Sequence, residues 1–312
     1  MNFEEKLERT LCQIEPNRPF PKNFQRTYTF PTENVYEYLQ YFDLKNKKLL
    51  TVGSSGAQIL NSFFLGARDM TLFDINENAN YYIWLVIASI LSLSYYEYQK
   101  FFFLHCYDIE EDYYNKTRFN KEIFDNKIKS TLRLFNYEAY LYYDEIFSNY
   151  ETQRIIDYLM DDDEYRPAVI KGFNIYLKNE ENYEKLKKEL HNINFKFING
   201  DIFDIDIPNK YDTIFLSNLC TYVKRNKLKK LLEKLDKNNL NTNGKILFAY
   251  LFNTDYNNKE YGPDWQEIYY LDDTKKEFRY YLSEYHQITS ARNFIHHENE
   301  KGDLVLIYRK DK

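Results

Sequence analysis

The amino-acid sequence predicts an α/β protein on a mostly parallel, seven-stranded sheet, with an antiparallel C-terminal strand pair and a helical insertion after the second strand. Three observations carry this. Lys48-Leu49-Leu50-Thr51-Val52 is a buried-strand pattern that runs directly into Gly53-Ser54-Ser55-Gly56, after which Ile59, Leu60, Phe63 and Phe64 recur at helical spacing. Met70-Thr71-Leu72-Phe73 is a second apolar run, and it ends on Asp74. The segment from Glu77 to His191 reads as helical, and strand patterns resume only at Phe195. Strand, glycine turn, helix, strand and acid make the first unit of a parallel α/β sheet.

The elements follow in order. A short helix is expected near Glu4 to Gln13, and Pro16, Pro19 and Pro21 then hold the chain extended. Asn34 is placed to N-cap a helix, with Glu37 three residues on. Gly66 sits where the helix after the glycine turn should stop. Glu77 to Gln99 reads as one helix, and Ile123, Phe124, Ile128, Leu132 and Phe135 mark another. Further helices are expected over Tyr150 to Met160 and Asn182 to His191. Strands are expected at Phe195–Ile198, Tyr211–Leu216 and Lys245–Leu251, with the closing pair near Phe278–Tyr285 and Leu304–Tyr308. A structureless loop of roughly a hundred residues would be improbable, so the segment between strands two and three reads as a helical cap. The expected organisation is an N-terminal arm or lid over 1–33 and a sheet domain over 34–312, with the insertion at about 80–192.

Bulk properties narrow the function. The formal charge is −6 and 44% of residues are hydrophobic, an ordinary globular balance. No Lys/Arg stripe stands out, which makes nucleic acid a poor partner. Lys224 to Lys237 carries Leu228, Leu231, Leu232 and Leu235 at helical spacing, the pattern of an amphipathic helix with a solvated cationic face. Cys12, Cys106 and Cys220 form no Cys-x-x-Cys pair, so neither a disulfide framework nor a zinc site is expected. His296-His297 reads as hairpin loop, and Asp161-Asp162-Asp163-Glu164 as a solvated helix end before Pro167. No metal site is expected. The longest apolar stretch, Tyr81 to Leu93, is short of the roughly 20 residues that cross a bilayer, and the acids near Met1 do not resemble a signal peptide. A cytoplasmic location is the expectation. The excess of Tyr, Phe, Asn and Lys reads mostly as compositional bias.

The glycine turn carries the chemistry. Backbone amides of Gly53, Ser54, Ser55 and Gly56 at a helix N-terminus form a polar, slightly positive pocket. Asp74 follows Gly53 by twenty-one residues, at the end of the neighbouring strand, where an acid can accept from ribose hydroxyls. A dinucleotide site requires Gly-x-Gly-x-x-Gly, and the second and third glycine positions here are Ser55 and Gln58. The turn therefore fits S-adenosylmethionine, which has no pyrophosphate, better than NAD. Downstream, Asp201 can accept the adenine amino group and Ile202 or Phe203 can cover the ring, unless Asp201 is only a solvated turn acid. Ser217 and Asn218 follow the fourth strand at its carboxyl end, where they either hold the cofactor's amino acid or cap the next helix. Tyr222 lies close enough in sequence to face the reacting carbon, and Tyr28, Thr29 and Thr32 either close over the site or pack the arm.

The runs Leu49 to Arg68 and Thr71-Leu72-Phe73-Asp74-Ile75-Asn76, with the helical stretch Ile87 to Phe102, resemble a class I S-adenosylmethionine-dependent transferase. In particular they resemble the bacterial family related to the 3-amino-3-carboxypropyl transferase that begins betaine-lipid synthesis. That family likewise has Ser-Gly where most methyltransferases have Gly-x-Gly. The resemblance spans most of Pro31 to Leu251. It implies a Rossmann-like fold and S-adenosylmethionine as cofactor, with Ile75 and Asn76 joining Asp74 at the ribose. It also implies a transferase that moves the aminocarboxypropyl group to a small-molecule or lipid-headgroup acceptor. It places Phe101 to Cys106 at a helix end. Methyl transfer to a small molecule is the alternative, and a non-catalytic nucleotide-binding protein or NAD-linked oxidoreductase is a further one.

Overall fold

The computed structural model describes residues 3, 4, 7, 27–102, 118–152, 155, 160–161, 167–251, 279–280, 283–289 and 303–310. The expected helix at Glu4–Gln13, the residues His296-His297, Cys12 and Cys106 lie wholly or largely outside them. The chain divides into two compact units. One comprises Met1–Thr32, Gly53–Ala57 and Asp74–Ile193; the other comprises Glu33–Val52, Gln58–Phe73 and Asn194–Lys312.

The second unit holds a seven-stranded sheet of order β5-β3-β2-β6-β7-β9-β8. Its strands are β2 (Lys48–Val52), β3 (Asp69–Asp74), β5 (Phe195–Asn199), β6 (Tyr211–Phe215), β7 (Leu240–Leu251), β8 (Glu284–Ile288) and β9 (Asp303–Arg309). β2 pairs in parallel with β3 and β6, and β6 with β7, while β9 runs antiparallel to both β7 and β8. The sheet is thus Rossmann-like, with the antiparallel C-terminal pair the sequence predicts. Leu49, Leu50 and Thr51 of the central strand are fully buried, as a strand covered on both faces requires.

Local chemistry sets the helices of this unit. α1 (Val35–Leu39) starts at Asn34, whose Oδ1 accepts the Glu37 amide at 3.1 Å while its Nδ2 donates to Glu37 Oε2 at 2.8 Å. α2 (Ala57–Phe64) ends at Gly66, where φ is +100° and a Cβ would sit 3.3 Å from the Lys45 Cα. A short helix α10 (Leu219–Tyr222) precedes α11 (Arg225–Asn239). α11 buries Leu228, Leu231, Leu232 and Leu235 in a core shared with Leu50, Ile214, Ile246 and Leu306. β7 begins five residues before the expected Lys245. Leu240 pairs with Tyr211, the register then shifts, and Asn243 takes φ +62°, an irregularity that period-two reading does not anticipate.

Among the described residues, the first unit is helical apart from a two-stranded parallel ribbon, β1 (Thr27–Tyr28) with β4 (Met160–Asp161). Its helices are α3 (Asn78–Ser92), α4 (Tyr95–Phe102), α5 (Lys121–Ile123), a π turn (Phe124–Ile128), α6 (Lys129–Phe135), α7 (Tyr137–Asn149), α8 (Pro167–Phe173) and α9 (Glu180–Leu190). α3 is apolar nearly all round because α6, α7 and α9 pack on it. The single helix expected over Glu77 to Gln99 is broken at Leu93, which is extended. The break has a cause: Ser94 and Glu97 form a capping box, with the Ser94 amide donating to Glu97 Oε2 at 2.9 Å and the Glu97 amide to Ser94 Oγ at 3.3 Å. Tyr183 and Lys187 of α9 then donate to the Leu93 carbonyl at 3.2 and 2.7 Å. The helix expected to reach Met160 instead gives way to strand at Met160–Asp161. The tyrosines and phenylalanines are structural as well as abundant: Tyr81, Tyr82, Tyr98, Tyr142 and Tyr183 are buried, and Phe101, Phe102 and Phe119 form an edge-to-face cluster.

Candidate functional site

In the first unit the glycine turn is closed by the Gly56 amide on the Gly53 carbonyl at 2.9 Å. Ser54 and Gly56 hold left-handed backbone at φ +43° and +78°, and a Cβ on Gly56 would meet Ile83 Cγ1 at 3.0 Å. The acid is locked to this turn: the Ser54 amide donates to Asp74 Oδ2 at 2.6 Å, and the Asn76 amide to Oδ1 at 2.8 Å. Burial raises the Asp74 carboxyl to about 6, against the opposing pull of the Ser54, Asn76 and Ile75 amides.

The other expected residues of this unit are placed as follows. Asn76 Oδ1 accepts the Asn78 amide at 3.0 Å at the start of α3, and its Nδ2 reaches Thr27 Oγ1 at 3.5 Å. Ile75 is 55% exposed, an apolar side chain set beside a buried acid. The Ser55 hydroxyl is buried with no hydrogen-bond partner among the described residues. On the arm, Tyr28 is half-buried in β1, and Thr29 is buried with its carbonyl accepting from the Tyr82 hydroxyl at 2.8 Å. Thr32 is half-buried.

In the second unit, Asp201 is committed to its own turn. Its Oδ1 accepts the Phe203 amide at 3.1 Å, and Lys227 lies 3.9 Å from Oδ2 and 3.8 Å over the Phe203 ring. Ile202 is buried in the sheet core, and Phe203 is partly buried and packed against it. Asn218 stands at the N-terminus of α10 without a side-chain capping bond, and Tyr222 at the helix end is 45% exposed.

Ser217 leads to residues the sequence did not single out. It holds φ +51°, strained for a serine, and its hydroxyl donates to Glu33 Oε1 at 2.7 Å. Gln58 Nε2 and, at 3.3 Å, the Tyr38 hydroxyl donate to the same oxygen. Glu33 is buried and carries no lysine or arginine among these partners; desolvation outweighs the three donors and raises its carboxyl to about 7. Glu33 was legible only as the residue before the cap at Asn34, and Gln58 only as a missing glycine. No short-range signal ties the two together, because Glu33 lies in the turn before the Asn34 cap while Gln58 lies in the first turn of α2.

Among the described residues, no group of three or more His, Cys, Asp or Glu is placed to hold a metal ion, and no helix is long and apolar enough to cross a membrane.

No known family model matches the chain, and no curated protein matches it. Among solved structures it is similar to TehB from Haemophilus influenzae, at 13% identity over 89% of this chain and 62% of that one, with a TM-score of 0.43. The chain thus spans less than two thirds of TehB. It is also similar to the N-methyltransferase NodS from Bradyrhizobium japonicum WM9, in complex with S-adenosyl-L-homocysteine, at 11% identity over 100% of both chains and a TM-score of 0.41. A third is the glycopeptide N-methyltransferase MtfA, also complexed with S-adenosyl-L-homocysteine, at 7% identity over 92% of each chain and a TM-score of 0.41. At such identities and scores nothing about this chain's activity follows from theirs.

Proposed function

We propose that the protein is an S-adenosylmethionine-dependent transferase. The observation that carries the reading is the bond between the Ser54 amide and Asp74, which ties the glycine turn to the acid ending β3. A carboxylate has about four acceptor sites, so a ribose hydroxyl would share Asp74 with the backbone amides that already hold it. The bare Ser55 hydroxyl and the exposed Ile75 fit the same ligand, one as a polar contact and the other as an apolar cover for adenine. Ser55 and Gln58, standing where a dinucleotide turn has glycine, weigh against NAD.

When bound, the sulfonium supplies an activated carbon, and the protein's task is to position and desolvate the incoming nucleophile. Within this class the Ser-Ser-Gly turn supports transfer of the 3-amino-3-carboxypropyl group, on its resemblance to that family. The acceptor is a small molecule or lipid headgroup. Residues 1–33 and the insertion at about 80–192 are the segments we assign to acceptor recognition. Calorimetry with S-adenosylhomocysteine, methylthioadenosine and NAD tests the cofactor: binding of an adenosyl sulfur ligand, weakened about tenfold or more by Asp74→Ala, is expected. Undiminished binding by that variant would remove the assignment. Slow turnover of S-adenosylmethionine, analysed by mass, identifies the group moved. Methylthioadenosine marks aminocarboxypropyl transfer and S-adenosylhomocysteine marks methyl transfer.

A further inference from the structure

The last residues of the N-terminal arm are well packed: Thr27, Thr29 and Phe30 are 5%, 4% and 9% exposed. Within the first unit they are held along two edges. On one edge Thr27 and Tyr28 pair in parallel with Met160 and Asp161, deep in the insertion. On the other, the Tyr82 hydroxyl of α3 donates to the Thr29 carbonyl at 2.8 Å, and Asn76 Nδ2 reaches Thr27 Oγ1 at 3.5 Å. Asn76 is also the residue whose amide donates to Asp74 Oδ1.

These holds differ in strength. A two-residue ribbon is marginal by itself, and a contact of 3.5 Å is a weak hydrogen bond. The Tyr82 bond is the firm one. Tyr82 is fully buried, so lifting the arm would break that bond where water is excluded. Its ring is set edge-on to Phe102, with centroids 6.3 Å apart, which keeps the hydroxyl from following the arm outward. The pairing of arm with insertion therefore leans on two side chains of the segment that directly follows the strand-end acid.

We propose that residues 27–29 are a latch that ties the Asp74 loop to the insertion, so that a ligand on Asp74 tightens the grip of the arm. A ligand sharing Asp74 fixes the 74–76 loop, and Asn76 passes that order to Thr27 and through it to β4. Tyr82 acts as a positioning residue. That the ligand is an adenosyl donor rests on the transferase reading. On that reading donor binding prepares the arm and the insertion, the segments assigned to the acceptor.

The test is hydrogen exchange read by mass on the full chain, on Tyr82→Phe and on Thr27→Val, each checked for folding by circular dichroism. Without ligand, Tyr82→Phe is expected to speed exchange about fivefold both over 27–32 and at 160–161. Thr27→Val is expected to speed it in the same two places by less. S-adenosylhomocysteine is expected to slow both segments of the native chain about fivefold or more, and less so in Thr27→Val, which cuts the Asn76 link. Faster exchange over 27–32 alone, or no change in either segment, overturns the latch. Binding of S-adenosylhomocysteine that leaves both segments as they were overturns the coupling. Should the native chain bind no adenosyl ligand, the transferase reading fails on its own, and the ligand-free comparison still decides the latch. If Tyr82→Phe does not fold, Thr27→Val carries the comparison.

Discussion

Glu33→Gln should make the protein more stable at alkaline pH and leave it nearly unchanged at acid pH. The folded carboxyl is raised to about 7 from 4.5, with desolvation as the dominant cause. A group raised on folding contributes stability that is complete below the unfolded value and is lost as pH rises through the folded one. At about 1.4 kcal/mol per pH decade, the interval from 4.5 to about 7 corresponds to about 3 kcal/mol withheld from the native state by pH 8. The glutamine keeps an acceptor for Gln58, Ser217 and Tyr38 but never ionises. Its stability advantage over the native chain should therefore grow by about 3 kcal/mol between pH 5 and pH 8. Asp74, also raised by burial, contributes equally to both proteins and cancels in the comparison. The assay is urea unfolding of both proteins at several pH values in that range. A difference in unfolding free energy that does not vary with pH would refute the account of Glu33 as a buried carboxyl held without a cation.

Gly56→Ala should cost about 1–3 kcal/mol, since it forces a side chain into left-handed backbone at φ +78° and against Ile83; urea midpoints measure it. Ser94→Ala removes one half of the capping box at the head of α4 and should lower stability by about 1 kcal/mol in the same assay, while Ser94→Asp recovers most of the loss. Leu232→Ala opens a cavity in the core between α11 and the sheet and should destabilise by about 2–5 kcal/mol, which a thermal melt will show as a clear fall in Tm.

Where the sequence was read well, the signals were local. The strand at Lys48–Val52, the glycine turn and the acid at Asp74 are adjacent features of one βαβ unit, and the structure keeps their order. The amphipathic face of Leu228, Leu231, Leu232 and Leu235 was legible because helical spacing alone assigns it. Asn34 was legible as a cap because its partner lies three residues away. The break at Leu93 was missed because continuous hydrophobicity through Tyr81 to Leu93 hid the Ser94–Glu97 box. Its support from Tyr183 and Lys187 comes from about ninety residues away.

The composition and motifs of this chain determined by themselves a parallel α/β sheet, a helical insertion and a glycine turn beside a strand-end acid. All three follow from periodicity and short-range chemistry. Tertiary structure alone decided which side chains become chemically special. Glu33 and Ser217 are 184 positions apart, and nothing in either neighbourhood announces their bond. Only folding buries the carboxylate, gathers three donors on one of its oxygens and leaves the other bare. The burial of Ile202 in the sheet core is likewise decided by what packs on it from elsewhere in the chain.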